Sequence, residues 1–212
     1  MILPSMSKNG GILAAFALLT TGAVTLVQLA TADQIALQEQ KKLMNTLSQV
    51  IPSTRYDNQL YLDCTVVSAE ALGTLAPHTI YRARKAGQNI ALLVQSTAPD
   101  GYSGKIEILS AIYRDGTVAG VRVLNHKETP GLGDKVEPEK SDWIHSFADQ
   151  QLLFADDSRW AVKKDGGQFD QFTGATITPR AVVNSVKSAN AYVQTHFDAL
   201  FAKPNQCNGS QS

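Results

Sequence analysis

The residues of this chain best placed to do chemistry lie in Asp170-Gln171-Phe172-Thr173-Gly174-Ala175-Thr176-Ile177-Thr178-Pro179. The stretch reads as a tight polar turn running straight into a helix, with Thr178 suited to the N-cap, Pro179 to the first helical position and an amphipathic run beyond. Thr176 therefore stands just ahead of a helix start, where unpaired N–H groups and the positive end of the helix dipole favour an anion such as phosphate. Gly174 tolerates positive φ and Ala175 adds little bulk, so the Thr176 hydroxyl is open to a modifying enzyme. The chemistry this offers is a phosphoester.

A second stretch, His126-Lys127-Glu128-Thr129-Pro130-Gly131-Leu132-Gly133-Asp134-Lys135, holds one proline and two glycines that redirect the backbone and let it approach a ligand closely. It is not a P-loop, because the Gly-Lys-Ser/Thr ending is absent, and it is not a dinucleotide fingerprint, because Gly-x-Gly-x-x-Gly does not occur. His78, His126, His145 and His196 are scattered, with neither a nucleophile elbow nor zinc-ligand spacing. Neither a catalytic residue nor a metal ligand is expected.

The elements that must position these stretches can be read from periodicity. Thr79 to Arg84 and Asn89 to Gln95 flank a turn at Lys85-Ala86-Gly87-Gln88, and Lys105 to Tyr113 returns through Asp115-Gly116 into Thr117 to Leu124. Ile106, Ile108 and Ile112 mark one face of the third of these strands, and Val121 and Val123 one face of the fourth. Further strands are expected at Gln59 to Leu62, around Thr65 to Val67, and at Arg159 to Gly167. Ser141 to Phe147 reads as a short amphipathic helix whose Trp143 and Phe147 either pack in the core or shield a bound ring. The last helix, Pro179 to about Phe197, carries Val182, Val186, Ala189, Val193 and Phe197 on one stripe that packs on the sheet. The fold class expected is α+β, a twisted antiparallel sheet with flanking helices, preceded by one N-terminal transmembrane helix.

The 212 residues, 43% of them hydrophobic, suffice for one domain and an appendage, and the 19 basic and 19 acidic residues cancel without a basic stripe. Nucleic acid is therefore not an expected partner. No charge falls between Lys8 and Asp33, enough apolar length to cross a bilayer. Ala30-Thr31-Ala32 also resembles a signal-peptide cleavage site, but the apolar run exceeds the usual length of such a segment and favours an uncleaved anchor in the lipid bilayer. The division expected is 1–9 N-terminus, 10–31 anchor, 32–52 helical stalk, 53–202 main domain and 203–212 flexible tail. Lys8 on one side and Lys41 and Lys42 on the other leave the orientation open.

Asp170-x-x-Thr173-Gly174-Ala175-Thr176 resembles the flavinylation motif Asp-x-x-Ser/Thr-Gly-Ala-Ser/Thr of the bacterial FMN-binding domain family, a pattern that average residue usage places by chance in roughly one such chain in a thousand. Glu128-Thr129-Pro130-Gly131-Leu132-Gly133-Asp134-Lys135 is similar to that family's second hallmark, a loop that lies against the isoalloxazine ring. Over nearly its whole length the chain resembles the family of G subunits of the Rnf (or Rsx) ion-translocating electron transport complexes, with the C subunit of the sodium-pumping NADH:quinone reductase as a more distant relative. The resemblance implies one FMN per chain, joined through its phosphate to Thr176. It further implies cofactor contacts from Asp170, Thr173, Gly174, Ala175, Ile177 and Thr178, and from Glu128, Thr129, Gly131 and Leu132. It places the chain in the bacterial inner membrane as a single-pass protein with a periplasmic domain. The implied partners are other membrane and iron-sulfur/flavin subunits of a redox-driven translocase of the ferredoxin:NAD oxidoreductase type, in which this chain does not catalyse alone. An FAD-dependent flavin transferase would mature it. In an oxidising compartment Cys64 and Cys207 can form one disulfide, or stand as two thiols. The competing class is a membrane-anchored, non-redox binding or assembly module using the same pocket noncovalently.

Overall fold

The computed structural model describes residues 3–207, with side chains from Asn9 onward except those of Asp33 and Ala36. The first two residues of the expected N-terminal segment and residues 208–212 of the expected tail lie outside the described residues. The chain divides into two units, 1–43 and 44–212. Helix α1 (Leu3–Val50) accounts for all the described residues of the first, and the expected anchor and stalk are one element. Within it Asn9–Ala32 is long and apolar enough to cross a membrane, and none of its most apolar window is buried by the rest of the chain.

The second unit is built on five antiparallel strands in sequential order: β1 (Cys64–Ala69), β2 (Thr74–Lys85), β3 (Gln88–Ala98), β4 (Ile106–Tyr113) and β5 (Val118–Asn125). Ala86 and Gly87 alone separate β2 from β3, both at positive φ, as the tightest hairpins require. Helix α2 (Ile177–Ala202) lies over β3 and β4 and inserts Val182, Val186, Ala189, Val193 and Phe197 into a core with Leu92, Val94, Ile108 and Ile112. The opposite face of the sheet is also covered. Tyr81, Leu93, Ala111 and Gly120 are cross-strand neighbours there, and a Cβ at Gly120 would stand 2.7 Å from the Val50 carbonyl oxygen. Burial on both faces explains why Ala91 to Val94 is an unbroken apolar run rather than an alternation.

Three expectations need correction. Leu60–Leu62 is a 3-10 turn, not a strand, because Asn58 and Asp63 on either side bind the β2 backbone and the Arg82 and Arg84 side chains. The segment 159–167 forms a single bridge, Val162 to Phe169, and then a 3-10 turn at Lys163–Asp165 that Gly166 closes at φ 87°. The tail is not free from residue 203: Asn205 accepts from the Cys64 N–H, Gln206 donates its N–H to the Cys64 carbonyl, and Cys64 and Cys207 are disulfide-bonded with Cα atoms 5.2 Å apart. These bonds occupy the outer edge of β1, which a strand at a sheet margin otherwise leaves unpaired.

Candidate functional site

Helix α2 begins two residues earlier than its residue types suggest. Ile177 is its first residue and Thr176 its N-cap, whereas Thr178 sits inside the first turn with Pro179 after it. The reason is long-range: the Thr178 hydroxyl is not a cap but donates to the buried carboxylate of Glu128. Pro179 remains compatible, since the N–H it lacks is among those a first turn leaves unpaired. The Thr176 side chain makes no capping bond, so its hydroxyl is uncommitted at the positive end of a 26-residue helix.

Upstream, Phe172 to Ala175 is a β-turn in which the Ala175 N–H donates to the Phe172 carbonyl over 3.1 Å and Gly174 takes the left-handed third position at φ 82°. An aromatic platform holds this turn. Trp143 packs edge-on against Phe147 and Phe172, and Phe147 stacks on Phe169 at 4.5 Å. Trp143 also donates its indole N–H to the Asp170 carbonyl at 2.7 Å, fixing the backbone where the motif begins. Ser141 caps the six-residue 3-10 helix, Asp142–Phe147, that carries Trp143.

The second loop leaves β5 and folds back on itself, with the Leu132 and Gly133 N–H groups both donating to the Thr129 carbonyl. Glu128, only 5% exposed, joins three segments. Its Oε1 accepts from the Ser103 N–H at 3.0 Å, its Oε2 from Thr178, and its own N–H donates to His126 Nδ1 at 3.0 Å. That last bond fixes the tautomer: with Nδ1 accepting, His126 carries its proton on Nε2 and donates it to Glu137 over 2.8 Å. Gly133 is packed so closely that a Cβ there would come within 2.9 Å of both Glu128 Oε2 and Thr178 Oγ1.

Between the turn and the loop opens a pocket of about 280 Å³. Glu128, Thr129 and Leu132 line it from one side, and Gly174, Ala175, Thr176, Ile177 and Thr178 from the other. Eight of the residues picked from sequence thus meet at one place. Thr173, Gly131 and Asp170 do not line it: the first two shape the turns, and Asp170, with a side chain 70% exposed, pairs with Lys163 at 2.6 Å. Tyr102 and Gly133 complete the lining and were not singled out. Gly133 lies within the second hallmark and could have been. Tyr102 arrives from the loop after β3, and its only signal was the glycine-flanked break at Gly101–Gly104.

Residues 101–191 match the FMN-binding domain, a span that includes every segment lining this pocket, and residues 1–50 match the RnfG N-terminal region. The chain is 50% identical to the G subunit of the ion-translocating oxidoreductase complex of Pseudoalteromonas atlantica, over 95% of this chain and 94% of that one. It is equally similar to the protein of the same name from Vibrio vulnificus (50%, covering 98% and 99%) and to that from Shewanella oneidensis (50%, covering 95% and 96%). The chain belongs to this G-subunit family. Its FMN-binding domain, on the geometry above, offers a phosphate an uncommitted hydroxyl at a helix N-terminus and offers a flat ring a cleft edged by Tyr102, Leu132 and Ile177, all exposed large side chains. The donor set fits the cofactor.

Proposed function

We propose that this chain carries FMN bonded through its phosphate to Thr176 Oγ1 and relays electrons within a membrane-bound ion-translocating oxidoreductase complex. The observation that carries the reading is the uncapped Thr176 hydroxyl, lining a pocket inside the span that matches the FMN-binding domain. In the attachment step a flavin transferase uses FAD: the pyrophosphate bond breaks, AMP leaves, the Thr176 hydroxyl loses its proton and the phosphoester forms. Asp170, Thr173 and Gly131, outside the lining, serve the enzyme's recognition of the motif and the shape of the two turns. Once bound, FMN supplies one- and two-electron chemistry; the protein's part is to hold the ring and tune it. The N–H groups of Ile177 and Thr178, which have no carbonyl a turn earlier in the helix, would donate to the phosphate, and a tether would replace a binding equilibrium with a high effective concentration.

Asn9–Ala32 anchors the chain in the inner membrane: its 24 residues span about 36 Å as a helix, against a hydrocarbon core of about 30 Å. The remainder faces the periplasm, where the Cys64–Cys207 disulfide is at home. Its partners are the other redox subunits of the complex. Protein purified from a host with its flavin transferase should stay yellow after denaturation and gain the mass of one FMN less water. Thr176→Ala should remove both. Colourless wild-type protein of unmodified mass overturns the proposal, and denaturation-resistant flavin in the variant moves the attachment elsewhere.

A further inference from the structure

We infer that Glu128 is the electrostatic brake on flavin reduction in this pocket: a desolvated carboxylate that holds the midpoint potential of the bound ring below the value its surroundings would otherwise give. The inference rests on the FMN reading above and goes beyond it. Among the described residues lining the pocket, Glu128 is the one acid, and no Lys, Arg or His lines it. Both carboxylate oxygens accept hydrogen bonds, from the Ser103 N–H and the Thr178 hydroxyl, so each is used as an ionised carboxylate uses it. Neither donor carries charge. Lys163, beside the motif turn, pairs with Asp170, and His126, whose Nδ1 accepts the Glu128 N–H, carries no proton on the side that meets Glu128. The same loop buries a second carboxylate, Asp134, whose Oδ1 has no hydrogen-bond partner among the described residues. The one charge in the lining of the pocket is therefore negative, and the burial of Glu128 itself keeps its carboxylate poorly screened by solvent.

Two electrons and one proton convert the neutral oxidised ring to an anionic reduced ring, FMN + 2e⁻ + H⁺ → FMNH⁻. A fixed negative charge in the wall opposes the product and leaves the neutral reactant nearly untouched, so it lowers the potential. Its hydrogen bonds show why the charge stays where it is. The Thr178 bond ties it to the helix that presents Thr176, the Ser103 bond to the loop that supplies Tyr102, and Gly133 leaves no room for the carboxylate to swing away.

The test is spectroelectrochemistry of the full-length, flavin-loaded chain in detergent. Glu128→Gln keeps the shape and both contacts, its carbonyl accepting from Ser103 and its amide donating to Thr178, while the charge is removed. The reduction equilibrium should move tenfold or more toward the reduced ring, about +30 mV for a two-electron couple. Glu128→Asp, which keeps the charge, should stay within a factor of three of wild type. A Glu128→Gln protein that is folded and flavinylated with an unchanged potential overturns the inference and leaves the FMN reading standing. One that is folded but carries no flavin also overturns it, since Glu128 would then serve attachment and not tuning. If Glu128→Gln does not fold, Tyr102→Lys decides: it places a cation on the exposed rim of the same pocket and should raise the potential, and no response overturns the inference. Wild-type protein without flavin would instead sink the reading on which all of this rests.

Discussion

The two ends of α2 are built on opposite plans. At its C-terminus the buried Arg82, 2% exposed, donates to the carbonyls of Phe201 and Lys203, to that of Cys64, and to the Asp63 carboxylate at 2.6 Å. The Cys64–Cys207 disulfide closes over this cluster. At its N-terminus no side chain caps the helix, and the neighbouring turn and loop meet across an open pocket. A helix end normally needs its orphan groups satisfied. Here the carbonyl end is satisfied by a charge from β2, and the N–H end is left without a side-chain cap beside the pocket. Rigidity at one end is what allows the other to remain chemically available without the helix fraying.

The strongest way to break this contrast is to unlock the closed end. Arg82→Met removes the donor to three carbonyls and leaves Asp63 only its bond to Arg84 at 2.8 Å, and should cost about 3 kcal/mol of stability. Denaturant unfolding should show it as a lower midpoint with an unchanged slope. FMN attachment to the folded fraction should remain complete, because Arg82 contacts nothing around Thr176. If flavin occupancy falls in step with stability, the two ends are not independent and the contrast fails.

A gentler change sharpens it from the other side. Trp143→Phe keeps an aromatic ring between Phe147 and Phe172 but deletes the indole N–H that holds the Asp170 carbonyl. The stability loss should be about 1 kcal/mol, the net worth of one hydrogen bond. The effect on function should be disproportionate: the motif backbone loses its anchor, so the flavinylated fraction by mass spectrometry drops while the melting temperature falls by only about 2–4 °C. Full flavinylation in this variant would show that the motif needs no support from the aromatic platform.

The contrast also explains what could be read from the sequence. Turns were legible because their chemistry is local: Ala86-Gly87, Asp115-Gly116 and Thr173-Gly174 each announce a backbone geometry through the residues that adopt it. The two hairpins followed from such signals and the apolar stripe of α2 from its periodicity, whereas the pairing of two loops around Thr176 came from the resemblance of their motifs to the FMN-binding domain family. What escaped reading depends on distant partners. Thr178 has the residue type of a cap, yet Glu128, fifty positions earlier, claims its hydroxyl. Gln59 to Leu62 has strand-like residues, yet Asp63 ties its end to two arginines of β2. Cys207 offered a possible disulfide to Cys64, yet the tail looked frayed because nothing in Lys203 to Gln206 reveals the hydrogen bonds that Cys64 and Arg82 make to it. Tyr102 reaches the pocket only because β3 ends beside α2.

The smallest expected effect concerns acid, and it bears on which end loosens first. His78 on β2 is 5% exposed and bonds Thr97 of β3 at 3.2 Å, next to the strand end that leads into the Tyr102 loop. Burial pushes its pKa down, against a weaker upward pull from the Ala76 backbone and the Glu107 carboxylate. With the folded value below that of the unfolded chain, the unfolded state binds more protons between the two, and stability rises with pH there. His78 therefore contributes fully above the ordinary histidine value of about 6.5 and progressively less as pH falls through it. The acids act lower: Arg159 holds Asp157 down at about 2, and Arg180 holds Asp165 below the usual carboxylate range, so their contributions are whole above the ordinary carboxylate value of about 4 and are lost progressively only below it. Between pH 7.5 and 5 the urea midpoint should fall slightly, and His78→Gln should flatten that fall. Hydrogen exchange over the same range should quicken at residues 98–104 before it does at 203–206, because the group being protonated lies beside the first segment, whereas Arg82 and a disulfide secure the second. Equal acceleration at both would mean that acid acts on the sheet as a whole, and the open end would have no acid sensitivity of its own.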